Sequence, residues 1–66
     1  MAKRYLIATI GKYHRPYFEV KWFKNKKNAI QFGNKIAKKE KRGDYGLFEY
    51  EISKTDEIYK GMLKRF

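Results

Sequence analysis

The spacing of hydrophobic residues changes along the chain, and each change marks an element. In residues 5–10 (YLIATI), Leu6, Ala8 and Ile10 alternate with Tyr5, Ile7 and Thr9, the period-two pattern of a strand. Residues 17–24 (YFEVKWFK) alternate more cleanly. Phe18, Val20 and Trp22 point one way, Glu19 and Lys21 the other, and Pro16 stands just before, where a missing N–H is tolerated. The stretch 11–16 between them has the length of a hairpin tip. From Lys26 or Lys27 to Arg42 the period becomes helical. Ala29, Phe32, Gly33, Ile36 and Ala37 then share one arc, with Ile30 at its edge. Asn25 or Asn28 is available as the cap and Gly43 as the stop. Glu40 falls inside the apolar arc, so the last turn is expected to project past the core. Residues 47–53 (LFEYEIS) alternate again, Phe48, Tyr50 and Ile52 against Glu49, Glu51 and Ser53. Finally Ile58, Met62 and Phe66 recur at helical spacing beside Tyr59 and Leu63. Ser53 or Thr55 can cap a helix there, with Asp56 and Glu57 in its first turn.

These elements predict a small single α+β domain over 1–66, ordered β-β-α-β-α. A right-handed crossover through helix 1 places strand 3 beside strand 1, giving a three-stranded antiparallel sheet of order 3-1-2. Helix 1 is expected over the face of Leu6, Ala8, Ile10, Phe18, Val20, Trp22, Phe48, Tyr50 and Ile52, which would largely bury Trp22. The other face, with Tyr5, Ile7, Thr9, Tyr17, Phe23 and Leu47, is too apolar to be wholly wet. The C-terminal amphipathic helix, or a partner, is expected to cover it.

Composition sharpens this picture. A chain of 66 residues buries only about 60% of its unfolded surface, so it needs staples or dense packing. It has no cysteine, which excludes disulfides and thiolate metal sites, but it has twelve aromatic residues to pack with. The apolar run at residues 5–8 is far too short for a signal core or a membrane span. A cytoplasmic protein with no membrane partner is expected. Lys, Asn, Ile, Tyr, Phe and Met make up 35 of the 66 residues. Their codons are AT-rich, a composition found in AT-rich bacteria and their phages.

Charge is the most uneven property. The net charge is +10. Residues 1–42 hold thirteen Lys/Arg against Glu19 and Glu40, which is +11, whereas residues 43–66 hold four Lys/Arg against five acids, which is −1. Such a localised field attracts polyanions. On helix 1, Lys27, Gln31, Asn34, Lys35, Lys38 and Arg42 lie opposite the apolar arc, with Lys39 and Lys41 on its flanks. A solubility face mixes signs and forms Glu–Lys pairs; this one has no acid. Lysine is a flexible point charge, suited to phosphates more than to base edges. Lys12 and Arg15, in the tip KYHR, form a second basic point with rings beside it.

Catalytic chemistry has no comparable signal. His14 is the sole histidine and has no recognisable partner set. Glu49 and Glu51 alternate on a strand, where Lys21 is the expected neutraliser. GDYG at 43–46 is a turn without phosphate-loop spacing. No enzyme activity, metal, cofactor or small-molecule substrate is expected. No RNA-binding aromatic consensus, zinc-finger pattern or helix-turn-helix spacing occurs. The segment FKNKKNAIQF is similar to the strand-to-helix junction of arm-type DNA-binding domains of phage integrases. That similarity is mainly the grammar of a helix start, and no residue role is carried over from it. Two functions follow from the residues. One is a non-catalytic nucleic-acid binder, of DNA or structured RNA, gripping phosphates through Lys27, Gln31, Lys35, Lys38 and Arg42, assisted by Lys12 and Arg15. The other is a small phage-type inhibitor or adaptor docking on an acidic or functional surface of a host protein.

Overall fold

The computed structural model describes residues 2–40 and 43–66. The elements are β1 (Ala2–Ile10), β2 (Pro16–Phe23), α1 (Lys26–Lys39), β3 (Tyr45–Ile52) and β4 (Glu57–Arg65). The strands form one antiparallel sheet in the order β2-β1-β3-β4. The expected three-stranded sheet with two helices is therefore wrong. Residues 57–65 extend the sheet beyond β3 as a fourth strand; they do not form a helix.

The physical reason lies in the β3–β4 register. Leu47 faces Lys64 but Phe48 faces Met62, so Leu63 is an extra residue; Glu49 faces Gly61 but Tyr50 faces Tyr59, so Lys60 is another. Each bulge slips the alternation by one. Two slips in nine residues turn a period of two into an apparent period of three to four. The supposed caps have a different role as well. The Ser53 hydroxyl accepts the Asp56 N–H at 3.0 Å, and the Ser53 N–H donates to the Asp56 carbonyl at 2.9 Å. An N-cap uses the same i to i+3 contact, but here it closes the β3–β4 hairpin.

The helix also covers the opposite face from the one expected. Ile7 and Leu47 are fully buried against Ala29 of α1, with Ile30, Phe32 and Ile36 of the helix and Tyr5, Phe23 and Phe66 packed around them. The Leu6, Ala8 and Phe48 face bears no helix. Those three are nevertheless fully buried, beneath Ile10, Trp22, Tyr50, Tyr59 and Met62. The division is chemically sensible, because indole and phenol rings want one wet end. Trp22 Nε1 donates to Glu19 at 3.1 Å and the Tyr59 hydroxyl donates to the His14 carbonyl at 3.4 Å. Trp22 accordingly packs partly buried on this cluster, on the face opposite the helix.

Phe18 and Val20 are not core residues: both are exposed. Ile7 pairs with Lys21 and Ala8 with Glu19, so Val20 is an extra residue and Glu19 takes the place beside Trp22. The helix ends at Lys39, short of Arg42, which lies outside the described residues. The chain leaves the helix at Glu40, the residue that would have brought a carboxylate into the buried arc. Among the described residues, no helix is long and apolar enough to cross a membrane.

Candidate nucleic-acid interface

Local chemistry fixes the start of α1. The Asn25 side chain accepts the Asn28 N–H at 3.1 Å, satisfying one of the first-turn donors. Its inner side is then set by two small residues. Ala29 and Gly33 are buried, and Gly33 lies against the Phe66 ring so closely that a Cβ would stand 2.2 Å from the ring Cζ. Phe32 packs on Phe23 with ring centroids 5.3 Å apart. With that side anchored, the opposite side faces water. Lys27, Gln31, Lys35 and Lys38 are all exposed, as are Lys26 and Lys39.

No carboxylate among the described residues forms an ion pair with this side. Among the described residues, the ion pairs are Lys3–Glu49 at 3.6 Å and Arg65–Asp44 at 2.6 Å, and neither involves α1. From Lys27 to Lys38 the stripe runs about 16 Å at 1.5 Å per residue. Duplex DNA carries one charge per about 1.7 Å of axis, so the stripe spans several phosphates.

The hairpin tip is a tight turn at Lys12–His14. The Gly11 N–H donates to the Arg15 carbonyl at 2.7 Å and the Arg15 N–H to the Lys12 carbonyl at 3.2 Å. Lys12 and Arg15 are both exposed. Arg15 is also tethered, its guanidinium 4.6 Å from the Tyr59 ring centre on β4. The tip thus reaches across the helix-free face to the far edge strand. The Ile10 N–H donates to the Asp44 carbonyl at 2.9 Å, which sets the start of the tip beside the residue that precedes β3. Arg15 therefore lies over the helix-free face, on the side of the sheet opposite the α1 lysines.

The remaining polar groups have structural settings. Lys3, not Lys21, neutralises Glu49. The Lys21 ammonium lies 5.3 Å and 5.5 Å from the Phe23 and Phe32 rings. Burial raises the Tyr50 pKa above its ordinary 10.0, and the nearby Tyr59, Glu57 and Glu19 act in the same direction, against Arg15. Among the described residues, no three His, Asp or Glu side chains are placed to hold a metal ion. Reading the sequence missed the exposed aromatic residues of the hairpin, Tyr17 and Phe18. Two adjacent rings on an outer strand, next to a proline, were the available signal. Comparisons with family models, curated proteins and solved structures give no match.

Proposed function

We propose that this domain is a non-catalytic nucleic-acid-binding module that holds DNA or structured RNA mainly through phosphate contacts from α1. One observation carries the reading: Lys27, Lys35 and Lys38 line an exposed helix face, with Gln31 between them, and no acid in the helix or ion pair to it among the described residues. Like charges held this way repel one another, and an anionic partner relieves that repulsion. Lys12 and Arg15 provide auxiliary contacts at the tip.

The test is a salt series on a mixed-sequence duplex and on a hairpin RNA. Lys35→Glu combined with Lys38→Glu abolishes binding, while circular dichroism and the melting midpoint stay those of the parent, because both side chains point into water. Replacing one phosphate-contacting lysine by alanine lowers the log–log salt slope by about 1, with little dependence on sequence. No shift with either probe at low salt, together with stoichiometric binding to a purified acidic protein, would overturn the reading in favour of an inhibitor or adaptor.

A further inference from the structure

We infer that the β1–β2 hairpin is a stacking finger for unpaired nucleobases, so that the ligand is a single-stranded nucleic acid. The inference rests on the reading just proposed and makes it more specific. Tyr13 is 89% exposed, Tyr17 73% and Phe18 67%. Rings of this size seldom stay so open on a domain that has too little core to begin with. Tyr17 and Phe18 are ordered against each other, edge to face, with centroids 5.1 Å apart and planes at 81°. Lys12 and Arg15 stand among these rings, and residues 11–18 contain no acid. Exposed rings interleaved with cations fit a ligand that offers flat apolar faces along a chain of negative charges. A duplex keeps its bases covered; an unpaired strand presents them.

The backbone of the tip points the same way. Tyr13 and His14 have φ of 59° and 57°, the left-handed region that residues other than glycine, asparagine and aspartate seldom occupy. Tyr13 is so exposed that packing does not offset that strain. The tip is nevertheless held by the Gly11–Arg15 hydrogen bond and by its contacts with Tyr59. A strained, ordered and exposed turn is preorganised for a partner, which reduces the entropy lost on binding. Strand addition by a second copy is poorly served at this edge. Pro16 has no N–H, the Phe18 N–H is turned to Thr9 Oγ1 at 2.9 Å, and two register shifts distort the ladder.

The experiment is fluorescence anisotropy with a labelled mixed-sequence single strand and with the same strand annealed to its complement, over a range of salt. The parent binds the single strand more tightly than the duplex at equal salt. Tyr17→Ala combined with Phe18→Ala weakens single-strand binding roughly five- to 150-fold, leaves its salt slope unchanged, and leaves the duplex unaffected. Both rings are exposed, so the melting midpoint of the variant stays close to that of the parent. Lys35→Glu combined with Lys38→Glu weakens both ligands. If the ring variant binds the single strand like the parent while the lysine variant loses it, the finger is refuted and the phosphate-binding module stands. Self-association abolished by Phe18→Ala, without ring-dependent binding of the oligonucleotide, assigns the patch to a second copy instead. Absence of binding to either probe at low salt overturns both readings.

Discussion

Gly33 holds α1 close to the sheet because it has no side chain. The Phe66 ring fills the place where a Cβ would be. In Gly33→Ala the ring must move, which exposes part of a side chain whose full burial is worth about 1.5–3 kcal/mol. Against that stands a gain of about 1 kcal/mol in helix propensity. The net expectation is a loss of about 1 kcal/mol. In a Phe66→Ala background the same substitution becomes stabilising, because only the propensity remains. Denaturant unfolding of the four-member cycle measures this, and additive effects would show that the ring and the glycine are not coupled. Tyr50 gives a second test. Its folded pKa lies above the unfolded value, so its contribution is complete below about pH 10 and is lost as pH rises through the folded value. The parent is therefore expected to lose stability above pH 10 more steeply than Tyr50→Phe. Parallel pH profiles would refute this.

Element by element, Gly61 separates the two readings of the C-terminal segment. In an exposed helix, Gly61→Ala would stabilise by about 1 kcal/mol. In β4, Gly61 has φ +128°, which side chains strongly resist although the space around it is open. The expected outcome is a loss of more than about 1 kcal/mol, read from the urea midpoint. The same residue shows how far the sequence could be read. The alternation of 5–10 and 47–53 and the helical period beginning near Lys26 are long enough to reveal their elements directly. β4 is not, because Lys60 and Leu63 break its period twice and Ser53 makes a contact common to caps and turns. A glycine in the middle of the supposed helix was the overlooked warning. Which face the helix covers was also illegible, since both sides of β1 are apolar at Leu6, Ile7 and Ala8. The lysine stripe was legible because it needs only the helical period. The exposure of Phe18 was not, because it follows from a bulge at Val20 that no composition rule marks.

At the scale of the molecule, the domain measures 36 × 25 × 15 Å, a slab with a helix on one side and its own aromatic residues on the other. Of the six fully buried hydrophobic residues among those described, Leu6, Ile7 and Ala8 come from β1, which like β3 is paired on both edges. One partner is local, across the tip. The other pairs Ala2 with Ile52 and Thr9 with Tyr45, and it becomes available only after the chain has run through α1. Closing such a long loop before its contacts form slows folding. During synthesis, therefore, this inner strand emerges early and waits with one edge bare. The charge of residues 1–42 builds to +11 over that interval. Nascent copies of the half-built sheet repel one another electrostatically, which keeps their bare edges apart until β3 arrives to cover them.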